Sequence, residues 1–79
     1  MKLAPSLFAV GYMNFMENDL KIEVISADSV KEAILKHSWL QDKDVHEWIN
    51  GMPDSLEEMK EEFFNGDAAV DVVEVEVPE

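Results

Sequence analysis

Seventy-nine residues bound the chain to one domain, residues 1–79, and a domain of this size buries only about 60% of the surface its unfolded form exposes. Neither cysteine nor arginine occurs, which removes disulfides, thiolate chemistry and bidentate guanidinium recognition of phosphate. The net charge of −12 is segregated: residues 42–79 hold thirteen Asp/Glu against two lysines, a net −11, while residues 1–41 sum to −1. Such a field repels nucleic acid and anionic lipid and attracts cationic protein surfaces.

The first ten residues, from Met1-Lys2 to Leu7-Phe8-Ala9-Val10, are interrupted by Pro5 and Ser6. Neither a leader nor a membrane span is expected, since spanning takes about 20 apolar residues. Absence of cysteine fits a reducing compartment, and a cytoplasmic location is the expectation. An apolar content of 47% is too high for a disordered acidic tail, so a folded domain is expected.

Residues 7–16 are apolar and aromatic, as in a strand covered on at least one face. Residues 20–27 alternate, Leu20, Ile22 and Val24 to one side and Lys21 and Glu23 to the other, which predicts a strand half-buried through the first set. Glu17-Asn18-Asp19 between them suits a hairpin turn. Gly11 in mid-strand signals a bulge or a close packing contact.

Ser29-Val30-Lys31-Glu32 reads as a capping box opening a helix over residues 30–39, with Val30, Ala33, Ile34 and His37 at helical spacing. A second helix begins near Asp42, its apolar face Val45, Trp48, Ile49 and Met52, and stops at Asn50-Gly51. Pro53 separates it from a third, capped by Asp54 or Ser55. Leu56, Met59, Phe63 and Phe64 form its inner side, and Asn65-Gly66 ends it. Residues 68–77 are β-branched and alternate Val73-Glu74-Val75-Glu76-Val77, predicting a strand whose outward residues are acidic, a pattern that also blunts an exposed edge. The order is ββαααβ: an α+β fold in which an N-terminal hairpin and a C-terminal strand make a small antiparallel sheet, with three short helices on one face.

Glu57, Glu58, Glu61 and Glu62 fall on the side of the third helix away from Leu56, Met59 and Phe63. Neighbours at i,i+4 lie about 6 Å apart and repel, costing a few tenths of a kcal/mol per pair, and Lys60 is the only cation in the helix. That interval is close to the spacing of phosphates along one nucleic-acid strand, so carboxylates so placed suit a lysine- and arginine-lined groove. Asp71, Glu74 and Glu76 extend the acidic set, and a half-exposed Trp39 supplies an apolar anchor for a protein partner or a homodimer. Trp48 is expected in the core.

Other chemistry is poorly served. Asp42-Lys43-Asp44-Val45-His46-Glu47 opens like a calcium loop, but Glu47 stands where the sharp turn needs glycine, and the Asp42–His46 pair has no second ligand pair, so no metal or cofactor is expected. Carboxylates are too abundant for any pair to mark a general acid, no serine has a nucleophile-elbow context, and there is no glycine-rich phosphate loop. An enzyme is not expected.

Two resemblances follow from these residues. Asp54-Ser55-Leu56 with Glu57-Glu58-Met59-Lys60-Glu61-Glu62-Phe63 resembles an acyl or peptidyl carrier protein, which would imply a phosphopantetheine arm on Ser55 and a four-helix bundle; the opening hairpin and the closing valine strand depart from that plan. In size, charge and the opening Ile25 to Glu32, the chain resembles small acidic accessory and counter-defence proteins of bacteriophages. The leading expectation is a non-enzymatic module that docks on a basic protein surface, in its sharpest form a nucleic-acid mimic blocking a DNA- or RNA-handling protein, without binding nucleic acid or membrane directly. The alternative is a structural or assembly subunit, or a homo-oligomer, whose acidity keeps it in solution; the carrier protein is third.

Overall fold

The order ββαααβ is the one observed in the computed structural model, which describes residues 6–76. Strands β1 (Ser6–Asn14), β2 (Asp19–Ala27) and β3 (Ala68–Val75) form an antiparallel sheet in the order β2-β1-β3. Helices α1 (Val30–Leu35), α2 (Lys43–Asn50) and α3 (Leu56–Asn65), with a 3₁₀ turn at Ser38–Leu40, supply the other layer. Val77, the expected end of the last strand, lies outside the described residues.

The hairpin sets the parity of the sheet. Its loop, residues 15–18, closes with Asn18 donating its amide to the Asn14 carbonyl (2.8 Å) and adopting a positive φ of 55°. Asn14 then faces Asp19, and from there every even β1 residue pairs with an odd β2 residue, Tyr12 with Lys21, Val10 with Glu23 and Phe8 with Ile25, while every odd β1 residue pairs with an even one. Because the helices cover Phe8 and Val10, they also cover the odd side of β2, where Ile25 and Ala27 are buried. Leu20, Ile22 and Val24 are therefore on the opposite face, 57%, 65% and 65% exposed, which reverses the expected inward side of this strand. β3 pairs even with even, so Ala68, Val70 and Val72 enter the core. Its Val73 and Val75 then share the uncovered face, and Glu74 is on the helix side, again the reverse of the expected orientation.

Gly11 sits in unbroken register opposite Ile22 and Asp71, so the mid-strand glycine marks no bulge. A Cβ there would meet Ile22 Cγ1 at 3.5 Å, ordinary contact: the Ile22 side chain leans over the central strand.

Ser29 Oγ accepts the Glu32 amide at 3.1 Å, while the Glu32 carboxylate accepts from Asp28, one residue before the cap. α1 stops at Leu35 rather than continuing to residue 39, because His37 turns extended (ψ 133°) and its Nδ1 accepts the Trp39 amide at 3.2 Å. Nε2 of the same fully buried ring donates to the Lys21 carbonyl (3.1 Å), tying the 3₁₀ turn to β2. Asp42 caps α2 by accepting from Asp44. At α3 the Ser55 hydroxyl makes no capping bond and Asp54 instead pairs with Lys31 at 3.2 Å. Ile34, Ile49, Met52, Met59 and Phe63 complete the core from the helices. Phe64, expected inside, is 66% exposed, its ring meeting that of Phe15 edge-on at 5.9 Å.

Gly66 ends α3 with a negative φ, and the left-handed residue is Asp67 at 62°. Close approach explains the glycine: a Cβ at position 66 would come within 3.1 Å of Trp48 Cη2. The Trp48 ring lies against Phe63 at 4.9 Å between centroids, yet stays 38% exposed, so it lines the core without being enclosed by it.

Candidate protein-docking surfaces

The molecule has two unlike sides. On the helical side, α3 buries Met59 and Phe63 and turns Glu57, Glu58, Glu61 and Glu62 to solvent. Successive helical positions are 100° apart, so Glu57, Glu58 and Glu61 share the outermost face and Glu62 flanks it. Lys60 is paired away from this ridge. Its ammonium reaches around the edge strand β3 to Asp71 Oδ1, at 3.0 Å. Lys21, Lys31 and Lys36 likewise pair with Glu23, Asp54 and Glu32 of the chain itself. With Lys60 drawn to Asp71 and Lys31 to Asp54, the α3 carboxylates form an exposed line of charge about 6 Å apart along the axis.

The tight turn at Gly66-Asp67 runs β3 back along α3, and the Lys60–Asp71 pair fixes their relative height. Glu74, on the helix side of β3 and exposed, thus falls toward the end of the molecule where Glu57 and Glu58 begin the helix. Glu76 is exposed just past the strand. Asp71 does not join them: it lies on the uncovered sheet face, bound to Lys60, with Oδ1 also accepting the Val72 amide at 3.0 Å. Trp39 is apart too. It is 41% exposed at the β2 edge, its ring against Tyr12 and His37 with Lys21 Nζ 5.8 Å away, whereas the acidic ridge lies by β3 at the other edge. The structure gathers the four α3 glutamates and brings Glu74 toward them, and it separates Asp71 and Trp39 from them.

The second side is the open face of the sheet, which the sequence reading missed. Its cross-strand rows, from β2 through β1 to β3, are Leu20–Met13–Ala69, Ile22–Gly11–Asp71, Val24–Ala9–Val73 and Ser26–Leu7–Val75. Apart from Ser26 and the neutralised Asp71 the rows are apolar, and Leu20, Ile22, Val24 and Val73 are each more than half exposed. Ala9 and Gly11 are small, and the Leu20 and Ile22 side chains of β2 lean inward over Gly11. The largest exposed apolar patch of a monomer is commonly about 300–600 Å² and is often a functional contact surface. The signal was present in β1, where Leu7 and Met13 oppose Phe8, Val10 and Tyr12: a strand apolar on both faces is covered on both.

Among the described residues, Glu23 is the strongly perturbed carboxyl group. Hydrogen bonds from the Ser38 hydroxyl and, at 3.0 Å, the Ser38 amide, with Lys21 beside it, hold it down at about 2. It accepts from two groups of the 3₁₀ turn and clips that turn to β2, a structural use of charge. Burial, with a smaller push from Glu17, raises the Tyr12 hydroxyl above its ordinary value. The Asp42 carboxylate, which stands one turn from His46, caps α2, and no three His, Asp or Glu side chains gather at metal-binding spacing among the described residues. Ser55 opens α3 on an α+β scaffold, not the four-helix bundle that the carrier-protein resemblance implied. Among the described residues no helix is long and apolar enough to cross a membrane.

Comparison with protein-family models, curated proteins and solved structures finds no match.

Proposed function

We propose that the chain is a non-enzymatic docking module whose acidic helical side binds a cationic protein surface, in the sharpest form the groove of a DNA- or RNA-handling protein. One observation carries the reading: the α3 glutamates face outward together while the only lysine of that helix is drawn off to Asp71. A helix selected for stability alone gains from i,i+4 pairs of opposite charge, whereas Glu57–Glu61 and Glu58–Glu62 are like-charge pairs that cost a few tenths of a kcal/mol each. The arrangement is favourable overall once a cationic partner supplies the missing charge. Complementary fields of this kind act mainly on association rate and partner choice. The general plan shared with phage accessory proteins fits such a role, in the cytoplasm.

The test is capture of partners from the native host at low salt, followed by affinity measurement against ionic strength. Binding is expected to weaken steeply between about 50 and 200 mM salt, where the screening length becomes shorter than the ridge. Combined Glu58→Lys, Glu61→Lys and Glu62→Lys should abolish binding with the far-UV dichroism unchanged. A partner held equally well by the reversed chain, or indifferent to salt, refutes the proposal.

A further inference from the structure

We infer that the open face of the sheet is a homodimer interface that takes a second copy of this chain, face to face. A sheet with helices on one side only is satisfied as a two-layer fold when its other side is polar; here the other side is apolar. Stacking two such faces at the usual separation of about 10 Å gives four layers, helices outermost and two sheets within.

Three observations favour a second copy as the occupant. The first is charge. In a chain of net −12 this face is electrically neutral, since its one carboxylate, Asp71, is paired with Lys60. Two copies therefore meet through neutral surface with their acidic ridges turned to opposite sides, where water and counter-ions screen them. A cationic partner gains nothing from this face.

The second is area. Three strands about 4.8 Å apart and some 27 Å long make a face of roughly 400 Å² before side-chain relief is counted. Two such faces, with that relief, remove on the order of 1,000 Å² from water, the lower bound for a specific interface. At the hairpin end the apolar surface continues onto Phe64 beside Ala69, which adds to the total.

The third is shape. Ala9 and Gly11 keep the centre of the face small, and Ile22 and Leu20 lean inward over Gly11, so the face is low and apolar across its middle and one patch serves both partners, as an isologous contact requires. The outer edge of β2 is partly occupied, since His37 takes the Lys21 carbonyl, Lys36 takes the Ser26 carbonyl and the 3₁₀ turn is held there by the Glu23 carboxylate.

The inference stands independently of the docking reading, and sedimentation equilibrium tests it. The wild-type chain is expected at twice its 9.0 kDa mass, with a dissociation constant that holds or tightens as salt rises, because added ions screen the repulsion between like-charged copies. Ile22→Lys, at a side chain 65% exposed in the single chain, should raise that constant at least tenfold while leaving the secondary structure intact. Ile22→Thr combined with Val24→Thr, which keeps β-branching, should do the same if the lysine variant fails to fold. Glu58→Lys with Glu61→Lys, on the other side of the molecule, should leave the dimer whole. A wild-type monomer at millimolar concentration overturns the inference and assigns the face to a different partner. A dimer that survives the Ile22 variants also overturns it and points to pairing through the β3 edge.

Discussion

Truncating Ile22 and Ile25 in turn tests the parity of β2 directly. Alternation alone makes Ile22 a core residue, while the hairpin register makes it Ile25. Ile25 is 8% exposed and Ile22 is 65% exposed in the single chain. Isoleucine to alanine removes three carbon groups, each contributing about 0.8 kcal/mol when buried. Scaled by burial, that is about 2 kcal/mol for Ile25→Ala and about 0.8 kcal/mol for Ile22→Ala. The cavity left beside Phe8 brings Ile25→Ala to about 3 kcal/mol. Lost strand propensity adds at most about 1 kcal/mol at either site. Urea denaturation measures the difference: with an m-value of about 1 kcal/mol/M for a chain this small, the midpoint should fall by about 3 M for Ile25→Ala and by less than 2 M for Ile22→Ala. The comparison belongs at protein concentrations where dilution no longer moves the midpoint, so that coupling to dimer dissociation does not inflate the Ile22 effect. An Ile22→Ala loss equal to or greater than that of Ile25→Ala would refute the register and, with it, the open apolar face.

Glu23→Gln should cost about 1 kcal/mol at neutral pH, a bond to a charged acceptor discounted because about a fifth of the side chain is exposed. The folded carboxyl titrates near 2, below the 4.5 of a free glutamate, so its contribution is complete above about pH 4.5 and is lost as pH falls toward 2; the Gln variant should show a flatter acid limb in thermal melts from pH 2 to 5. Gly66→Ala should displace the Trp48 ring, since the new Cβ lies 3.1 Å from Cη2, and cost about 1 kcal/mol through loosened Trp48–Phe63 packing. Measured in a Trp39→Phe background, its fluorescence maximum should move to longer wavelength, and an unchanged spectrum would contradict the close approach.

The helices were legible because their signals are local. Ser29 with Glu32, Asp42 before α2 and Pro53 before α3 each act within one turn of chain, and the structure places helix starts at all three. The orientation of the strands was not legible in the same way. Alternation tells which residues of a strand share a side, but the side that meets the helices is set by pairing, and Asn14 opposite Asp19 is a tertiary outcome of the loop at residues 15–18. The clean Leu20-Ile22-Val24 pattern was real and pointed away from the helices. The same holds for Val73 and Val75. His37 shows a third kind of miss: its helical spacing continued α1 on paper, while a bond from the Trp39 amide to its ring ends the helix in fact.

Acid and apolar surface are segregated in this fold by the sheet itself, and each side constrains the other. A chain of net −12 cannot place its charge around a hydrophobic contact face without opposing its own association, and here Asp19, Glu23 and Glu74 of the strands all lie on the helix side, leaving Asp71 as the one strand carboxylate on the open face. Lys60 is where the two demands meet. By crossing the β3 edge to Asp71 it cancels the one charge on the sheet face and, in the same contact, leaves the α3 ridge without a counter-ion. Moving that single ammonium back over Glu57 and Glu61 would weaken both surfaces together, a negative charge appearing on one and a positive charge on the other. The pair is surface-exposed, and as an isolated ion pair it contributes under about 1 kcal/mol to stability. Its consequence lies in the distribution of charge between the two faces rather than in holding the fold together.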